Sequence, residues 1–167
     1  MEILKKYYSK WKLMNPLSFV LMTTFMSLIL TIPIVLVLSY FDIDKNEIGG
    51  INYKKYSFIR LFLSAVIIAP ILETLLMQTL PIKLIQKVFS KKANLISIIF
   101  SSLIFSLAHS VYSIWYSLLI FPLGFLLAKA YIIFQERKES SFWITFFIHF
   151  SRNLIGVISI FISGKLN

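Results

Sequence analysis

Between Leu17 and Phe41 the chain runs for 25 residues without one charged side chain. A helix needs about 20 apolar residues to cross a bilayer core, so this run by itself commits the chain to a membrane. It is too long for the apolar core of a signal peptide and lacks a small-x-small cleavage site, so it reads as a retained anchor. Further apolar stretches follow at 57–80, 93–134 and 142–163. At about 1.5 Å of rise per residue, residues 93–134 can form two spans joined by a tight turn near Ser110–Ser113. The pattern predicts an all-α, polytopic membrane helical bundle of about five transmembrane helices. Composition agrees: 58% of the 167 residues are hydrophobic and 14% are charged, where average globular chains hold about 45–50% and about 25%. That excludes a soluble globule and a disordered chain. The absence of cysteine excludes disulfides, thiolate zinc sites and cysteine nucleophiles.

Residues 1–16 read as an interfacial amphipathic segment. Leu4, Tyr7, Tyr8, Trp11 and Met14 recur at helical spacing, with Lys5, Lys6, Lys10 and Lys12 between them. Such a helix lies along the headgroups; a basic disordered tail is the other reading. Asn15-Pro16 ends it and starts the first span. Residues 17–163 are then the membrane-embedded domain. The side holding the N-terminus collects Lys5, Lys6, Lys10, Lys12, Lys83, Lys87, Lys91, Lys92, Arg137 and Lys138, and the other collects Lys45, Lys54, Lys55 and Lys165, with Arg60 at its edge. This bias predicts a multi-pass protein of the cell membrane with a cytoplasmic N-terminus. The net charge of +10 is accounted for by topology and anionic lipid, and the scattered basic residues give no nucleic-acid patch.

Ionisable groups inside a span are costly and mark function by default. Six of the seven acids lie in loops or at the N-terminus; only Glu73 lies within a span, as do both histidines, His109 and His149. Lys129, Arg152 and Asn153 complete the set. His149 and Asn153 share a helix face, as do Phe105 and His109. Measured from Pro81 and from Ser141, Glu73 and His149 both lie roughly 10 Å deep, so they can meet near the cytoplasmic interface. His109, counted from Ala93, lies roughly 24 Å deep and joins them only if its helix starts below the membrane, tilts, or sits under a thinned bilayer. A carboxylate kept from bulk water is a candidate general base near neutral pH. An Asn amide and a His N–H on one face suit a developing oxyanion. These parts describe water attack on a carbonyl inside the membrane. Each has a bland alternative: a packing Glu, a structural His, an Asn that glues helices. Lys129 reads as snorkelling to the interface. Arg152 reads as a partner of Glu73 or of a substrate carboxylate.

Three motifs in order carry a resemblance. They are Ala69-Pro70-Ile71-Leu72-Glu73-Thr74-Leu75-Leu76-Met77-Gln78, Phe105-Ser106-Leu107-Ala108-His109, and His149-Phe150-Ser151-Arg152-Asn153. They resemble the P-x-x-E-E-x-x-x-R, F-x-x-x-H and H-x-x-x-N patterns of the CPBP family, the CAAX-protease and bacteriocin-processing intramembrane peptidases, which include the type II CAAX prenyl endopeptidases. The resemblance covers about residues 57–160. It implies an intramembrane endopeptidase in which Glu73 and His109 activate water and His149 and Asn153 form the oxyanion pair. Phe105 and Arg152 would support the site or bind substrate. The chain departs from the pattern at Thr74 and Gln78, where Glu and Arg are expected. At i and i+4 these two should face each other as a neutral hydrogen-bonding pair, with Arg152 standing in for the missing arginine.

A zinc ion would find Glu73, His109 and His149 as ligands, but no H-E-x-x-H segment occurs, and the favoured reading has no metal and no other cofactor. The expected partners are the lipid bilayer and a small membrane-associated peptide or protein, in leader-peptide or bacteriocin processing or self-immunity. Two other functions fit the same residues: a non-catalytic bacteriocin immunity or partner-binding protein of the same fold, and a small transporter or proton-relay subunit. The sequence leaves the oligomeric state open.

Overall fold

The computed structural model describes residues 2–49, 56–89 and 93–163, and no strand occurs among them. Helix α1 is Glu2–Leu13 and α2 is Pro16–Tyr40. A one-turn helix, Lys45–Ile48, follows. Helix α3 runs without a break over Phe58–Phe89. Helix α4 is Asn94–Ala108 and ends in the 3₁₀ turn His109–Val111; α5 is Ile114–Phe134 and α6 is Ser141–Ile162. Among the described residues, five helices (α2, α3, α4 with its 3₁₀ turn, α5 and α6) are long and apolar enough to cross a membrane. The loop positions assigned to Gly50, Lys54, Lys55, Lys91, Lys92 and Lys165 lie outside the described residues, as do the side chains of Leu4, Lys5, Lys6 and Lys45.

Short polar side chains set where the helices begin. Asn15 Oδ1 accepts from Ser18 N at 2.9 Å, with Pro16 in the first turn. Ser113 Oγ accepts from Tyr116 N at 2.9 Å and so divides α4 from α5 where the sequence predicts the turn. Ser57 and Ser140 cap α3 and α6 in the same way. Each cap satisfies an amide that the first helical turn leaves without a partner.

Helix α5 is the axis of the bundle: 61% of its spanning window is buried, against 22–33% for the other four. Leu123, Leu127, Ala130, Ile133 and Phe134 of α5 pack with Phe19 and Val20 of α2, Phe105 of α4, and Ile144 and Ile148 of α6. Gly124, Ala128 and Ala130 let neighbouring backbones approach closely, which is how helices associate where lipid is as apolar as the protein. Trp11 anchors α1 on this core: it stacks on Phe19 at 5.0 Å and its Nε1 donates to Thr23 Oγ1 at 3.0 Å.

The basic segments meet at one end of the bundle. Lys12 pairs with Glu136 at 2.7 Å, Arg137 donates to the Lys12 and Met14 carbonyls at 3.1 and 2.8 Å, and Gln86 joins Asn94 and Gln135 at 3.0 and 2.9 Å. Lys129 reaches this end as well, with Nζ 4.7 Å from the centre of the Tyr8 ring, and takes no part in the polar cluster below.

Candidate active site

The second span does not end at Pro81, as its composition suggests; α3 continues to Phe89. That extension corrects the depth arithmetic. Ile82, Ile98, Tyr131, Ile132 and Phe142 pack together, giving α3, α4, α5 and α6 a common level. From that level Glu73 is nine residues away, His109 eleven and His149 seven. At 1.5 Å per residue these are roughly 14, 16 and 10 Å. The three residues therefore share one layer of the bundle.

Two prolines shape α3. The ring of a helical proline crowds the preceding turn and removes an N–H. Each proline here follows a π-helical stretch, Phe62–Ile68 before Pro70 and Thr74–Thr79 before Pro81. In these stretches Ala69 N–H bonds to Ser64 O, and Leu80 N–H to Leu75 O. In that register the Ala65 carbonyl points toward the nitrogen of Pro70, which has no hydrogen. Asn153 Nδ2 supplies the donor instead, at 2.8 Å. The Met77 carbonyl, four residues before Pro81, accepts from Ser101 Oγ at 2.6 Å. Helix α6 thus supplies the hydrogen bond that Pro70 removes, α4 adds one to the turn before Pro81, and the short α-helical segment bearing Glu73 is held between the two wide turns.

Glu73 Oε2 lies 3.7 Å from His109 Nε2 and 3.6 Å from His149 Nε2. Both gaps exceed hydrogen-bond length. His109 Nδ1 donates to the Phe105 carbonyl at 2.7 Å, which turns Nε2, with its lone pair in the neutral ring, toward Glu73. The Phe105 ring, fully buried, lies 4.8 Å from the His109 ring and 5.4 Å edge-on to His149. Phe105 therefore orients both imidazoles. It is held in turn by Gly124: a Cβ there would come within 2.9 Å of Phe105 Cδ1.

These side chains line a cavity of about 320 Å³ that also takes in Arg152, Asn153 and the tyrosines 112 and 116. Glu73 Oε2, His149 Nδ1 and Arg152 Nε are buried there without a hydrogen-bond partner. Arg152 makes no ion pair with Glu73 among the described residues. Asn153 reaches the cavity, but one of its amide hydrogens is committed to Ala65 O. Sequence reading missed Tyr112 and Tyr116, whose rings lie 6.4 and 6.0 Å from His109. Their signal was two tyrosines four residues apart directly after the histidine-bearing turn.

The Thr74–Gln78 pair is not formed. Thr74 Oγ1 and Gln78 Nε2 are both without a partner, and the Gln78 side-chain amide instead lies 2.6 Å from Ser101 Oγ. The reason is the π-helical register of Thr74–Thr79, in which residues four apart no longer stack. Gln78 is fully buried and does not line the cavity, whereas Arg152 does; the two positions do not substitute for one another in space. As for a metal, ligating histidines ordinarily donate their second ring nitrogen to an acceptor. His109 does so and His149 does not. Among the described residues no group of three His, Asp, Glu or Cys side chains is arranged to hold a metal ion.

Neither a comparison with curated proteins nor one with solved structures returns a match. A family model, that of the type II CAAX prenyl endopeptidase Rce1-like proteins, matches residues 55–155, from the start of α3 to past Asn153. The match takes in all three polar motifs and covers more than half of the chain, and the protein, a multi-pass membrane protein, therefore belongs to the Rce1-like family of CAAX-type intramembrane endopeptidases.

Proposed function

We propose that this membrane protease hydrolyses a peptide bond with a water held between Glu73, His109 and His149. The observation that carries the reading is the meeting of Glu73 Oε2 with His109 Nε2 and His149 Nε2, at 3.7 and 3.6 Å, among residues that line one cavity. Glu73 takes a proton as the water oxygen attacks the carbonyl carbon, with His109 Nε2 orienting the water. The tetrahedral oxyanion is met by the His149 ring N–H and by the amide hydrogen that Asn153 retains. The proton held by Glu73 then passes to the leaving nitrogen as the C–N bond breaks. Phe105 positions the two imidazoles, and Arg152 binds an anionic or carbonyl group of the substrate. No metal is invoked. The substrate class is a small membrane-associated peptide or protein, in leader-peptide or bacteriocin processing or self-immunity.

The test is cleavage of membrane-embedded candidate peptides by purified protein, wild type beside Glu73→Gln. Loss of cleavage by about 10²–10⁴-fold is expected for removal of a general base, and the product mass locates the cut. Equal cleavage by both proteins refutes the role of Glu73. The neutral residues Thr74 and Gln78 favour a second reading, a non-catalytic immunity or partner-binding protein of the same fold. It requires that Glu73→Ala and His109→Ala leave protection against a bacteriocin unchanged.

A further inference from the structure

Lys129 is an intramembrane cation that takes no part in the proposed reaction. It lies five residues inside the end of α5 at Phe134, roughly 8 Å along the helix, where a charge is costly and marks function by default. It lines a second cavity, of about 260 Å³, between α1, α4 and α5. This crevice is separate from the cavity around Glu73: its α5 residues fall between 129 and 133, whereas those around Glu73 fall between 116 and 123. We propose that the crevice holds one anionic phospholipid, with its phosphodiester on Lys129 and Lys12 and its acyl chains along α4. The proposal rests neither on the peptidase reading nor on which side of the membrane this end of the bundle faces.

The lining has the two halves of such a lipid. Its polar half holds Lys12, Lys129, Asn94 and Glu136. Two ammonium groups against one carboxylate leave one positive charge, which matches the single negative charge of a phosphodiester. Lys12 Nζ lies 2.7 Å from Glu136 Oε2, and Lys129 Nζ lies 4.7 Å from the centre of the Tyr8 ring. Each ammonium carries three N–H donors, so each keeps donors for a phosphate oxygen after these contacts, and the Asn94 amide adds another. Hydrogen bonds of this charge-assisted kind are the strong ones. The apolar half is Leu95, Ile98, Ile132 and Ile133. Leu95 is 65% exposed, and Ile99 and Leu103, four and eight residues farther along α4, are exposed as well. An acyl chain leaving the crevice therefore finds an apolar path along the helix. A soluble phosphate ester has no group to place on these walls. A zwitterionic lipid brings its own cation and leaves the extra positive charge unbalanced. Basic pockets between membrane helices are where anionic headgroups bind.

The test is native mass spectrometry of the full chain in a neutral detergent, titrated with phosphatidylglycerol or with phosphatidylcholine of the same acyl chains. Wild type is expected to retain one phosphatidylglycerol in preference to phosphatidylcholine. Lys129→Met and Lys12→Gln should each weaken that binding about tenfold or more, the worth of a hydrogen bond to a charged group. Lys129→Arg, which keeps the charge, should retain most of it. Lys138→Gln removes an exposed cation outside the crevice and should bind as wild type does. Equal losses in Lys138→Gln and Lys129→Met would mean diffuse surface attraction and overturn the site. Equal retention of phosphatidylcholine overturns the match of charge. Soluble glycerol phosphate that displaces the lipid at the lipid's own concentration assigns the crevice to soluble phosphate esters and overturns the lipid. If Lys129→Met does not fold, Lys12→Gln, whose ion pair is exposed, decides by the same comparison with Lys138→Gln.

Discussion

Replacing Gly124 by alanine adds one methyl group at the contact that positions both histidines. The new Cβ would lie 2.9 Å from Phe105 Cδ1, 3.2 Å from its Cβ and 3.3 Å from its Cγ. Carbon atoms rest at about 3.5–4.0 Å, so the root of the Phe105 side chain must retreat by about half an ångström. It has little room, being fully buried against α2, α5 and α6. Overpacking of this kind costs about 1–3 kcal/mol, and exchanging glycine for alanine in a helix returns about 1 kcal/mol. The net loss is about 0–2 kcal/mol, a fall of no more than about 8 °C in melting temperature for a chain of this length. The effect on activity is larger. The Phe105 carbonyl fixes His109 at 2.7 Å, and displacements approaching 1 Å at a reacting group can cost about 10²-fold. Gly124→Ala is therefore expected to melt close to wild type in detergent and to cleave at least about tenfold more slowly. Phe105→Leu in the Gly124→Ala background relieves the clash, and the pair should show a coupling of about 0.5–3 kcal/mol in a double-mutant cycle. Full activity in Gly124→Ala, or strictly additive effects in the double variant, would refute the account of Phe105 as the piece that orients the site.

Further outcomes follow from other contacts. Asn153→Leu leaves the Ala65 carbonyl without its donor and should cost about 1–3 kcal/mol, together with faster amide exchange in residues 62–69; unchanged exchange there would show that α6 does not secure the π-helical turn. Arg137→Ala removes donors to the Lys12 and Met14 carbonyls at the end of α1 and a cation packed 4.3 Å from the Phe134 ring, and should free α1 enough to shift Trp11 fluorescence, while Lys12→Ala, whose ion pair is exposed, should cost less than about 1 kcal/mol and even less in high salt. Hydrogen bonds from Arg137 hold the Glu139 carboxyl below its ordinary value of 4.5. The contribution of that pair is present above about pH 4.5 and lost as pH falls through the lowered value; wild type and Glu139→Gln should therefore differ in melting temperature at pH 6 and converge near pH 3. Cleavage by the purified protein should survive a strong chelator, and loss of activity restored by zinc would require a metal route in place of water activation by Glu73 and His109.

Much of the site is legible in the sequence because charge is rare in this chain. One intramembrane acid and two intramembrane histidines leave few ways to assemble a polar centre, and the structure brings those three together. Ser113 divides residues 93–134 where expected, because a serine that caps a helix is a local signal. The extent of α3 was misread because Pro81 and Lys83 look like a membrane boundary in composition. A proline is tolerated inside a helix when neighbouring helices bond its freed backbone groups, and the Ser101 hydroxyl that bonds the Met77 carbonyl beside Pro81 lies 24 residues away. Thr74 and Gln78 were misread for a related reason: their spacing assumes α-helical register, and the register in that turn is π-helical.

The sequence by itself determined the membrane class, the helix count, the end of the bundle where the lysines gather and the identity of the polar residues, since each follows from hydropathy and charge along a single helix. Only the tertiary structure decided the depth of Glu73, the role of Phe105 as a shared support, the commitment of one Asn153 hydrogen to Ala65 and the half of the bundle in which the cavity lies. These depend on how far one helix is displaced along another, and that displacement is set by packed side chains such as Ile82 against Tyr131 and Phe105 against Gly124, contacts between residues that are distant in the chain.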